Sequence, residues 1–149
     1  MFKNLLLPID GSPTSQLAVD KAIGLARAFG STVNVLYVID PYPFTGVGEG
    51  FAYGQTQYLS AARGEADAAL AEACQALEAA GIQARSSLVE SHVVWRGILE
   101  AALQGQADLI VMGSHGRSGF EKLLLGSVAQ RVVSQATLPV LVVRGQSSG

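Results

Sequence analysis

Apolar residues in this chain come in two alternating textures: short unbroken runs, and longer stretches where they recur every three or four positions. Unbroken runs predict strands buried on both faces, and the three-to-four spacing predicts helices with one apolar stripe. Leu5-Leu6-Leu7 is the first run, ended by Pro8 and by Asp10-Gly11. Ser12-Pro13 then opens a helix, with Ser12 as N-cap and Pro13 at its first position. Ala18, Ala22, Leu25, Ala26 and Phe29 make its apolar face, and Gly30 stops it. A second strand, rich in β-formers, spans Thr32 to Val38. Prolines and glycines between Asp40 and Thr56 predict a loop. From about Gln57 to Ala80 a helix places Ala62, Ala66, Ala69, Leu70, Ala73 and Leu77 on one side, and Gly81 ends it.

Ile82 to Val89 reads as a weaker third strand. Trp95, Ile98, Leu99, Ala102 and Leu103 mark a short amphipathic helix closed by Gly105, and Ala107 to Met112 is the fourth strand. A last helix from Ser127 to about Gln135 precedes Pro139 and a fifth strand, Val140 to Val143. Strands alternating with helices predict a parallel sheet covered on both faces. Right-handed crossovers make it an α/β, open, doubly wound sandwich.

Composition narrows the function classes. A chain of 149 residues fits one domain, residues 1–149, with neither repeat nor linker. Apolar residues at 49% and charged ones at 15% supply a core and leave little for disordered tails. A net charge of −2 and a pI near 5.6 argue against a nucleic-acid footprint. The single cysteine, Cys74, excludes an intrachain disulfide and reads as a small buried thiol. The N-terminal apolar run is too short for a signal peptide or membrane span, so the expected location is cytoplasmic.

In such sheets ligands bind beyond the carboxyl ends of the strands, where the strand order reverses. Three segments there carry chemistry: Pro8-Ile9-Asp10-Gly11-Ser12, Val38-Ile39-Asp40, and Gly113-Ser114-His115-Gly116. A carboxylate at the end of strand one can accept from a sugar hydroxyl or an exocyclic amine. The Val38 backbone can offer N–H and C=O to a base edge. Glycines let a phosphate approach bare amides, and a helix starting at Ser127 adds a favourable dipole. Each element also has a plainer reading: Gly113 and Gly116 as turn-makers, Gly126-Ser127 as an ordinary helix start, and Asp10 as a turn residue.

The pattern Gly113-x-x-Gly116-x9-Gly126-Ser127 resembles the ATP-binding signature of the universal stress protein family. The likeness extends to Leu7 through Ser12, Asp108 through Arg117, Leu125 through Val132, and Leu138 through Val143. It implies a Rossmann-like sheet in the order 3-2-1-4-5 and membership of the branch that binds ATP, with or without magnesium or manganese. By position, Pro8, Ile9, Asp10 and Val38 would surround adenine and ribose. Met112, Gly113, Gly116, Gly126, Ser127 and Val128 would hold ribose and phosphates. Arg117 is added here as a cation within reach of the phosphate tail, and a solvated loop arginine is its plainer reading.

The resemblance also implies a homodimer through antiparallel pairing of Val140, Leu141, Val142 and Val143, which would otherwise be a bare apolar edge. One departure is Ser91 to Gly97, where the family often has a small residue and a proline; Trp95 there is either core or a surface anchor. No set of carboxylates at ligand spacing identifies a protein-supplied metal site. The Walker pattern is missing, no lysine lies within the glycine turn, and no catalytic triad spacing is present. His115, Glu121 and Lys122 are candidate helpers, and His92 has no partner suggested by spacing.

The expected role is an ATP-loaded regulator with at most slow hydrolysis. Two alternatives stand: a nucleotide-free interaction module, or an adenine-nucleotide-dependent transferase of the same fold group. The loop from Tyr42 to Tyr58, with Phe44, Phe51 and Tyr53, reads as a lid over the base, a partner-binding surface, or aromatics packed down on the fold.

Overall fold

In the computed structural model, residues 1–41, 49–115 and 125–145 are described. They form β1 (Asn4–Ile9), α1 (Pro13–Phe29), β2 (Thr32–Ile39), α2 (Glu49–Ala79), β3 (Ala84–Glu90), α3 (Val94–Gln104), β4 (Leu109–Gly113), α4 (Ser127–Gln135) and β5 (Val140–Val143). The strands pair in parallel in the order β3-β2-β1-β4-β5, as the resemblance implies.

One core layer lies between the sheet and α1 and α2, built on Leu5, Leu7, Val33, Val35, Val111, Ala22, Leu70 and Leu77. The opposite layer, under α3 and α4, holds Leu6, Leu36, Ile110, Met112, Ile98 and Val132. Burying each leucine-sized side chain contributes about 1.5–3 kcal/mol, so continuous apolar strands buried on both faces hold the sandwich together. Ser12 caps α1 by accepting the Ser15 N–H at 3.2 Å, and Gly30 ends it in the left-handed region at φ +66°.

Three sequence expectations change. The helix expected from Gln57 begins at Glu49 and takes in Gly50 and Gly54, so residues 49–56 are not loop. Two glycines cost about 1 kcal/mol each in a helix, which a 31-residue, alanine-rich element absorbs. Residues 42–48 lie outside the described residues, as do the side chains of Phe51 and Tyr53. Leu103 is 81% exposed and sits on the solvent side of α3. Pro8 lies within β1 and does not end it, opposite Leu36 of β2.

Candidate functional site

Pro8 shapes the carboxyl end of the sheet through a group it does not have. In a parallel strand, successive residues turn their peptide groups to opposite neighbours. Lys3 accepts from the Thr32 N–H, so the odd residues of β1 face β2 and the even ones, Pro8 included, face β4. The next rung with β4 would need a Pro8 N–H, which proline lacks. The β1–β4 ladder accordingly stops at Leu6–Ile110, while the β1–β2 ladder continues to Ile9–Tyr37. The parting of β1 from β4 lies at the point where the strand order reverses, the place such sheets use for ligands.

The other edge of this crevice is the end of β4. Ile110 and Ser114 both donate their N–H groups towards β5, to Pro139 and Val143. Gly113, between them in parity, turns its peptide group to the β1 side. The same alternation governs β2: Thr32 bonds β1 and Val33 bonds the β3 side, so the Val38 carbonyl points past the end of β1. Ile9 and Met112 are 8% and 5% exposed, so their side chains belong mainly to the core.

Asp10 is committed to the fold as well as exposed to the site. Its Oδ1 accepts the Ser12 N–H at 2.9 Å and the Ser15 hydroxyl at 2.8 Å, and its own N–H donates to Ser15 Oγ at 3.0 Å. The Tyr37 hydroxyl donates to the Asp10 carbonyl at 3.3 Å. This lattice fixes the direction in which α1 leaves β1.

Two backbone bonds join the bends after β4 and before α4. Ser114 donates to Val143 at 2.8 Å, and the Ser114 carbonyl accepts the Gly126 N–H at 2.7 Å. Gly126 is the N-cap of α4 and has no side-chain cap, so the first-turn amides of Ser127, Val128 and Ala129 are the polar groups at that end. Ser127 is exposed and Val128 half-buried. Gly116, Arg117, Glu121 and Lys122 lie outside the described residues. His115 is half-buried: Nδ1 meets Ser114 Oγ at 3.0 Å, and Nε2 is enclosed with no hydrogen-bond partner.

A cleft of about 270 Å³ opens beside this region, lined by Asp10, Tyr37, Val38, Asp40, Tyr58 and Glu65 among others. Tyr58 and Glu65 come from α2 and were not singled out from the sequence. Their link to the strand ends is tertiary, and no local spacing signals it. His92, for which spacing suggested no partner, lies 3.2 Å from Asp40 through Nδ1. The two residues close the ends of neighbouring strands, a proximity only the β2–β3 register creates. Among the described residues no group of three or more His, Cys, Asp or Glu side chains could hold a metal. No described helix is long and apolar enough to cross a membrane.

Trp95 resolves as half-buried, packed on the α3–α4 core layer with the guanidinium groups of Arg96 and Arg131 at 5.2 and 5.9 Å from its ring. It is therefore partly core and partly surface.

A parallel sheet in this order, whose β1–β4 ladder ends early at the switch point, defines a class of open, doubly wound α/β domains. Within that class, the Universal stress protein family profile matches residues 1–144, and this chain belongs to that family. It is 38% identical over 145 residues to universal stress protein MJ0531 of Methanocaldococcus jannaschii, covering 97% of this chain and 83% of that protein. The solved structure of MJ0577 from the same organism is similar at a TM-score of 0.89, with 27% identity and 99% of each chain covered. A universal stress protein solved in complex with cAMP matches at a TM-score of 0.67 and 26% identity, over 96% of this chain and 97% of that one.

Proposed function

We propose that this chain is a single-domain, cytoplasmic, ATP-binding regulator of stress response or metabolism, with at most slow hydrolysis. The observation that supports the reading is the end of the β1–β4 ladder at Leu6–Ile110, just before Pro8, at the point where the strand order reverses. The relative in complex with cAMP supports an adenine nucleotide as the ligand class. Pro8, Ile9, Asp10 and Val38 would take adenine and ribose. Met112, Gly113, Gly116, Gly126, Ser127 and Val128 would take ribose and phosphates, with Arg117 near the tail. When bound, magnesium or manganese would supply positive charge to the phosphates. The protein's part is to orient the nucleotide through main-chain donors and the dipole of α4. The dimer would form through Val140 to Val143, at the sheet edge where Leu141 is 39% exposed.

The test is mass spectrometry of the small molecule released on denaturation, with calorimetric titration of ATP and magnesium. Released or titrating ATP is the expected result. Failure of both would leave an interaction module that works without nucleotide.

A further inference from the structure

We infer that Thr14 is a wedge that positions the phosphate-side bend, and that Gly113 is glycine to admit this wedge and not only to admit a ligand. This rests on the nucleotide reading above and deepens it. A Cβ built on Gly113 would lie 2.7 Å from Thr14 Cγ2 and 3.1 Å from both Cβ and the carbonyl carbon of Thr14. Carbon atoms do not approach to 2.7 Å, so any side chain at 113 would force the first turn of α1 and the end of β4 apart. Gly113 has no positive φ to explain it among the described residues. Thr14 also lies near the segment that follows β5, where a Cβ on Gly145 would lie 3.8 Å from Thr14 Oγ1.

The position of Thr14 is itself fixed from below. It sits between Ser12 and Ser15, both bonded to Asp10 Oδ1, so the base-side residue and the wedge move as one piece. Above it, Gly113 leads directly into Ser114. That residue clamps β5 through its N–H and the start of α4 through its carbonyl. Thr14 thereby ties Asp10 at the end of β1 to Gly126 at the start of α4, the two halves of the crevice. It touches no ligand in this scheme and acts as a positioning residue.

Three variants test it: Thr14→Ala, Gly113→Ala and the two combined. Gly113→Ala should bind ATP about tenfold more weakly, because the bend that would hold ribose and phosphates is displaced. Removing Cγ2 in the double variant relieves the 2.7 Å contact and leaves the two at 3.1 Å, so part of the ATP affinity should return. Independently of any ligand, Thr14→Ala should speed amide hydrogen exchange at Ser114 and Gly126 and leave the β1–β2 ladder unchanged. A double variant no better than Gly113→Ala overturns the inference, as does unchanged exchange in Thr14→Ala. If Gly113→Ala does not fold, the exchange result on Thr14→Ala decides alone. Wild-type protein that binds neither ATP nor adenosine defeats the nucleotide reading, and exchange still decides the wedge.

Discussion

Replacing Asp10 by alanine should cost the fold before it costs any ligand. The substitution removes two hydrogen bonds to a charged acceptor, from Ser12 N–H and from the Ser15 hydroxyl. Bonds to charged groups contribute about 1.5–3 kcal/mol each when buried. Ser12 and Ser15 are 6% and 7% exposed, so their donors would lose a partner in a place water reaches poorly. Asp10 itself is half-buried, and solvent discounts the sum. We expect a loss of about 2–3 kcal/mol, a drop in Tm of about 5–10 °C for a domain of this size. Asparagine keeps an oxygen in the same place and should cost about 1 kcal/mol, because only the charge assistance goes. Urea unfolding followed by Trp95 fluorescence and by helical circular dichroism measures both variants. An alanine variant within 0.5 kcal/mol of wild type would refute the claim that Asp10 organises the start of α1.

Two further outcomes are expected. Leu141→Asp should give monomers by light scattering, since a charge on the exposed β5 edge opposes strand pairing; a persistent dimer would exclude that edge as the interface. Cys74 should alkylate slowly near neutral pH and readily after unfolding. Burial, and then the neighbouring Glu78 carboxylate, raise its thiol above the ordinary range and lower the thiolate fraction. The folded chain therefore keeps this proton to higher pH than the unfolded one. Its stabilising effect is complete below the ordinary thiol pKa and fades as the pH rises past it. Alkylation as fast as that of a free thiol would contradict this environment.

Much of the fold was legible because its signals are local. The Ser12-Pro13 start and Gly30 stop of α1 are where a cap and a left-handed residue are needed, and they hold in the structure. The stripe of Ala66, Leu70, Ala73 and Leu77 is the buried face of α2. Local signals misled where tertiary packing outweighed them. Gly50 and Gly54 read as loop but lie in a helix whose length outweighs their cost. Leu103 extends an apolar spacing yet faces solvent, because Ala102 carries the buried stripe of α3 and the next residue lies about 100° further round the helix.

By itself the sequence determined which segments are strand and helix, apart from residues 49–56, and the covering of the sheet on both faces. Those follow from periodicity, caps and turn chemistry, which act over a few residues. Only the tertiary structure decided that Pro8 parts β1 from β4, that Asp40 meets His92, and that Thr14 fills the space over Gly113. Each of these depends on register between strands or on the approach of a helix to a strand. Register and approach are set by the packing of the whole core, which no short window of sequence contains.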